Sequence, residues 1–258
     1  MTAILMNTDD ILILAVDSTA TIASAAVLRG RTLLGQTSVS GVLTHSETLL
    51  PTCDSLLKAL GLTIADIGLF ACTAGPGSFT GVRIGVSMIK GLAYPRGVPC
   101  AGVSTLEALA YNLHGAAGGA LVVPVMDARR NQLYNAVFSD VGSGEGRMIR
   151  IRGDRLIAFD SLAEELEQTA PDRPFCFVGD GADLAERRLE ASGRESLKKR
   201  LRVTPQLLRR QSGYSAGAVG LFDYLEGLAV PPDELLPVYL RMSQAERERR
   251  ERESRKSE

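Results

Sequence analysis

Two aspartates and one glycine turn are the features of this chain whose types and placement could do chemistry. Asp17 closes an apolar run over residues 11–16, and Asp127 closes a second over residues 121–126. Short apolar runs of this kind read as buried strands. Carboxylates at two strand ends could together hold a metal–phosphate complex. The residues that follow favour the opposite reading. Ser18-Thr19-Ala20-Thr21 and Ala128-Arg129-Arg130-Asn131 supply no glycine to bring a phosphate against the backbone. Asp at a strand–turn junction also has an ordinary part in turn chemistry, so both readings stand. Gly75-Pro76-Gly77 follows a third apolar run, residues 67–72, and Ser78 is placed to cap the helix after it. The free N–H groups of such a helix start suit an anion, and the same residues make a purely structural turn. The Walker pattern is excluded, because no Gly-Lys-Ser/Thr follows the glycines.

Other chemistries have little to work with. The chain has two histidines, His45 and His114, in no H-x-x-x-H or H-E-x-x-H pattern, so a zinc-type site lacks its ligands. His45 sits among polar residues at a helix start and reads as a surface or contact residue. No G-x-S-x-G occurs, which leaves a serine triad unsupported. A net charge of −1 steers the molecule toward neither nucleic acid nor membrane. The absence of Trp argues against base stacking as the main binding mode. Cys53, Cys72, Cys100 and Cys176 are widely spaced without C-x-x-C and read as reduced thiols of a cytosolic protein. The first apolar run has acids, not bases, ahead of it and is too short for a bilayer. Neither a signal peptide nor a membrane helix is expected.

The elements that must position these residues are two helices and a duplicated strand unit. Residues 82–93 are apolar nearly all round, with only Arg83, Ser87 and Lys90 polar. Such a helix is covered on two sides, by its own sheet and by another helix or chain. Gly81 and Gly85, four apart, read as a shallow strip for a close helix approach. A helix from residue 44 or 46 to 60 carries Leu49, Leu50, Cys53, Leu56, Leu57 and Leu60 as its apolar stripe, flanked by the small residues Thr48, Thr52, Ser55 and Ala59. Sliding residues 14–28 by 110 positions lays them on 124–138 without a gap, Val16-Asp17 on Met126-Asp127. Both copies read strand, acidic turn, strand, so the chain reads as two copies of one mixed-sheet fold. The break at 116–119 is the expected junction. Residues 161–169 read as a helix capped at Ser161, and the basic stretch 194–210 as a solvated face or an RNA-facing patch. Residues 236–241 read as an extended tail and 245–258 as a disordered or lone charged segment.

Several of these strings resemble one family. They are Ile13-Leu14-Ala15-Val16-Asp17-Ser18-Thr19, the run from Gly75 to Gly85, Gly102-Val103-Ser104-Thr105-Leu106, Asp127-Ala128-Arg129 and Pro237-Val238-Tyr239-Leu240-Arg241. They look like the TsaB (YeaZ) family, strongly over residues 11–140, loosely over 141–230, and again in the tail. The resemblance implies an α/β, actin-like ATPase fold (ASKHA, ribonuclease H-like). Its two related lobes would be residues 1–115 and 116–230, followed by a tail, 231–258. It implies a bacterial cytoplasmic subunit that joins TsaD and the ATPase TsaE in placing threonylcarbamoyl on adenosine 37 of tRNA. TsaD carries the active site and its metal. The metal-binding histidines of TsaD-like chains fall here at Thr105 and Leu109, which cannot replace them, so no catalytic or metal residue is expected. The resemblance implies no cofactor beyond weak ATP or ADP binding at a vestigial region of Asp17, Asp127, Gly75 and Gly77. It gives helices 45–60 and 79–93 to a contact with TsaD, or with a second copy when TsaD is absent. The residues expected there are Thr48, Thr52, Ser55, Gly81, Gly85 and Met88. The rival readings are an ATP-dependent phosphotransferase using Asp17 and Asp127, a metallopeptidase, and a direct tRNA-binding module.

Overall fold

The computed structural model describes residues 10–41, 43–140 and 146–241. The charged stretch expected at 245–258 lies outside the described residues.

Strands β1 (Leu12–Asp17), β2 (Ala23–Arg29), β3 (Thr32–Val39), β4 (Leu69–Gly75) and β5 (Cys100–Ser104) form one sheet in the order β3-β2-β1-β4-β5. β2 is antiparallel to β1 and β3, while β1, β4 and β5 are parallel. β6 (Leu121–Asp127), β7 (Gln132–Ser139), β8 (Ile149–Ala158) and β9 (Phe175–Val178) form a second sheet in the order β8-β7-β6-β9. It repeats the same opening: an antiparallel hairpin, then a parallel strand beside the first. This is the actin-like, ribonuclease H-like arrangement of two related lobes.

Alternation along β1 explains its unbroken apolar run. Leu14 and Val16 face a core under α1 (His45–Ala59) and α2 (Phe79–Ala93). Ile13 and Ala15 face a second core, shared with α3 (Thr105–Tyr111), α7 (Gly213–Leu225) and the facing side of the second sheet. Strands buried on both faces read as continuous hydrophobic runs. A third core lies between the second sheet and α4 (Phe159–Thr169) with α5 (Ala182–Ala191). The molecule is therefore layered helix, sheet, helix, sheet, helix.

The central helix layer is crossed. α7 comes after the second sheet in the chain yet lies on the first, and α3 follows the first sheet and lies on β6 and β7. α7 fits because its buried face is small: a Cβ on Gly220 would stand 2.7 Å from the Ala71 Cβ.

Three sequence readings change in detail. Asp17 pairs with Ser24, but Asp127 pairs with Leu133, so the second hairpin turn is one residue shorter than a gapless repeat. α4 begins at Phe159 without a side-chain cap, rather than at Ser161. The reason is that β8 runs directly into it and Phe159 is drawn into the core. Leu50, expected in the buried stripe of α1, is 49% exposed.

Gly220→Ala tests the crossed helix. Alanine raises helix propensity by about 1 kcal/mol, but the methyl group has no room. A net loss of about 1–3 kcal/mol is expected, read from the urea midpoint at unchanged slope.

Candidate functional site

The ends of β1, β4 and β6 meet at a seam between the lobes. Asp17 is 1% exposed at the end of β1. Its Oδ1 accepts from the Thr19 amide at 2.9 Å and the Thr19 hydroxyl at 2.6 Å. Its Oδ2 is buried with no partner among the described residues. Burial pushes this carboxyl above the ordinary range, against the pull of the Thr19 bonds. Across the seam, Asp127 accepts from the Arg129 amide at 2.8 Å and pairs with its guanidinium at 3.3 Å. Each acid thus accepts from the turn that follows it, while Asp17 Oδ2 stays without a partner among the described residues.

Sequence reasoning missed the third acid. Asp180 lies in the turn between β9 and α5, and its Oδ1 is buried without a partner among the described residues. Burial, then the charge of Asp127, push its carboxyl from 3.8 up to about 6. Asp17 adds to this, while Arg210 lowers it. The signal was present: Phe175–Val178 is a further apolar run that leads into an acid after one glycine. Among the described residues no group of three or more His, Cys, Asp or Glu is arranged to hold a metal ion.

The glycine turn is filled by the chain itself. Val238 donates its amide to the Ala74 carbonyl at 2.7 Å, and a Cβ on Gly75 would collide with the Val238 carbonyl oxygen. A Cβ on Gly77 would collide with Thr19. Beyond it, the Tyr239 ring stacks on Phe79 with centroids 4.8 Å apart, and Arg83 donates to the Tyr239 hydroxyl at 2.9 Å. Arg241 then reaches the other lobe, donating to the Ala128 carbonyl at 2.6 Å. The region of Asp17, Asp127, Gly75 and Gly77 therefore does not fit a nucleotide. Its backbone approach is taken by Val238, Thr19 turns inward onto Asp17, and Arg129 turns onto Asp127.

The two helices of the expected interface sit side by side on the outer face of the first sheet. α1 starts at Thr44, where Glu47 closes a capping box. His45 Nε2 meets the Ala20 carbonyl at 2.7 Å, so it is a contact residue of the first hairpin turn. α2 is capped by Ser78, whose oxygen accepts from Gly81. Gly81 and Gly85 do not face outward as expected. Both are buried, and a Cβ on either would collide with Ser18. They are small so that the turn carrying Ser18 can press on α2, with the Ser18 hydroxyl donating to the Gly81 carbonyl at 2.8 Å.

The outward apolar face of α2 is Ile84, Met88 and Leu92, each half-buried and four apart. Leu50 and Leu57 of α1 line a cleft with Leu92, Leu62 and Ile64. Thr48 and Thr52, half-buried, and Ser55, exposed, lie on another flank, since Thr52 is roughly 160° round the helix from Leu50. The Thr48 and Thr52 hydroxyls bond back to the carbonyls of Thr44 and Thr48. Of the six residues expected at the contact, Met88 alone lies on this apolar face.

The basic stretch 194–210 is largely tied internally. Arg194 pairs with Glu164 and Glu167, Lys198 with Glu190 and Glu195, and buried Arg209 with Asp183 and Glu186. Arg200 and Arg202 donate to backbone carbonyls.

A pH titration reports the acid at the seam. A raised folded-state pKa means that the folded protein holds the proton more tightly. The contribution of Asp180 to stability is then full below 3.8 and lost as pH rises to about 6. Asp180→Asn is expected to abolish a loss on the order of 2 kcal/mol across that interval, measured by urea unfolding of both proteins.

Comparison with known proteins adds the following. The family profile for TsaD, tRNA N6-adenosine threonylcarbamoyltransferase, matches residues 40–248. The chain is 32% identical over 178 residues to the tRNA threonylcarbamoyladenosine biosynthesis protein TsaB of Bacillus subtilis, covering 69% of this chain and 75% of that protein. It is 38% identical over 94 residues to TsaB of Escherichia coli, 36% of this chain and 41% of that protein. A crystal structure from Pseudomonas aeruginosa, of an uncharacterized protein with similarity to peptidase YeaZ, superposes with a TM-score of 0.72 at 25% identity. That match covers 90% of this chain and 100% of the other.

Proposed function

The chain belongs to the TsaB (YeaZ) family, within the wider group that the TsaD profile describes, and on that premise we propose that it serves threonylcarbamoyladenosine formation on tRNA as a non-catalytic subunit. It binds TsaD through the apolar face of α1 and α2, and in the absence of TsaD pairs with a second copy through the same face. TsaE joins the resulting complex, and tRNA is met through the complex rather than through this chain's own basic residues. Its place is the bacterial cytoplasm. Among the described residues, no helix is long and apolar enough to cross a membrane.

The observation that carries this reading is the stripe of Ile84, Met88 and Leu92 beside the half-exposed Leu50. A helix stripe of this spacing is what two helices bury when they pack together. Full burial of a side chain of this size contributes about 1.5–3 kcal/mol, so the remaining half of four such residues suffices for a specific anchor. A scaffold of this kind acts by binding one conformation of its partner better than others.

The turn bonds of the carboxylates favour the scaffold reading. Asp17 and Asp127 are each engaged by the turn that follows, and the positions Thr105 and Leu109 are buried. A phosphotransferase or a metallopeptidase would need groups that these residues do not supply.

The test is threonylcarbamoyl transfer to tRNA, reconstituted with TsaD, TsaE and a threonylcarbamoyl-adenylate supply. Leu50→Arg combined with Met88→Arg is expected to stay folded, since both side chains reach solvent. It should weaken TsaD binding by about a hundredfold, or ~2.7 kcal/mol, and transfer should fall with it. Asp17→Asn combined with Asp127→Asn should keep transfer within about twofold of wild type. Loss of transfer in the Asn variant with TsaD still bound would overturn the non-catalytic reading.

A further inference from the structure

The tail does more than end the fold. Residues 231–235 run along the first lobe, where Lys90 donates to the Asp233 carbonyl at 3.0 Å and Leu235 is buried against Gly102. Residues 236–241 then cross the mouth of the seam. They touch the first lobe at three points: the Val238–Ala74 backbone bond, the Tyr239–Phe79 stack, and the Arg83 bond to the Tyr239 hydroxyl. They touch the second lobe through Arg241 on Ala128, the first residue of the turn after β6. This segment is therefore a strap, fastened at both ends across the line along which the lobes would part.

We propose that residues 236–241 are a latch that fills the nucleotide position of the actin-like fold and holds the interlobe seam shut. Two features support such a device. Gly75 has its Cβ position occupied by the Val238 carbonyl oxygen, so the glycine serves the strap and a phosphate would meet an oxygen already in place. Behind the strap, the charges of Asp127 and Asp17 both act on buried Asp180, and like charges in a poorly solvated place repel. Their repulsion favours an open seam, and the strap opposes it. Phe79 and Arg83 hold the strap at the start of α2, where Arg83 lies 3.8 Å over the Phe79 ring as a cation–π contact.

The inference is independent of the partner reading, because it concerns this chain alone. The test uses the full chain with two spin labels, one on each lobe. All four native cysteines are buried, with thiols raised by burial, so labels attach only to introduced ones. Ala65→Cys and Ser161→Cys are at exposed positions of the first and second lobe. The labelled protein is diluted into unlabelled protein, so that only distances within one molecule are read. The latch is released by Val238→Pro, Tyr239→Ala and Arg241→Ala together; proline removes the bonded N–H outright. Circular dichroism and a thermal melt confirm the fold.

The expected result is a single narrow distance in wild type and a longer, broader distribution in the released variant. Wild type should also show no saturable binding of magnesium-ADP by calorimetry. An unchanged distribution in the folded triple variant would overturn the latch. Saturable magnesium-ADP binding by wild type would overturn it as well, whatever the distances show.

Discussion

The fold depends on the close approach of α7 to a sheet that was completed long before it in the chain. A buried helix normally stands off a sheet by the height of its side chains. Here Gly213, Gly217 and Gly220 bring it down onto Ala25, Leu28 and Ala71. Ten of its thirteen residues are buried. That contact, with α3 lying reciprocally on the second sheet, turns two lobes into one continuous core. Every functional statement about the seam presupposes it, because the crossed helices fix which strand ends face each other.

Around this crossing, a bonded network joins the elements that a hinge would move. Glu107 of α3 is 4% exposed and accepts from Arg147 and Arg150, the latter on β8. Arg147 also pairs with Asp223 and Glu226, on α7 and at its end. Removing one partner from such a network strands a buried charge, which costs far more than an exposed pair contributes. The lobes are thus tied from below by ion pairs and across the top by the strap.

Legibility in the sequence followed the kind of physics involved. Strands buried on both faces announce themselves as apolar runs, and β1, β4 and β6 were all visible as such. The side-chain cap at Ser78 was visible because the chemistry is local. The direction of a face was not. Gly81 and Gly85 suggested an outward strip, since small residues permit close approach by anything. Only the fold shows that the approaching group is Ser18 of the same chain. Leu50 looked like core because one turn of helix cannot reveal where its stripe ends. The Tyr239–Phe79 stack escaped because it joins residues distant in the chain, and a single sequence holds no record of such pairing. The family strings located the right residues while leaving their neighbours unstated.

The crossed helix also has a consequence for the order of events during synthesis. The Gly213 amide bonds to the Ser24 hydroxyl across 189 residues of sequence. On a ribosome the first sheet emerges with one face already matched by α1 and α2, while the face of Ile13, Ala15, Leu28 and Leu69 waits for residues 213–225. Chains grow at about 5–20 residues per second, so that apolar face stays bare for on the order of ten seconds or more. The amino-terminal lobe is for that interval an uncovered sheet rather than a finished domain. A fragment ending before α7 should share its fate, however complete its sheet looks on paper.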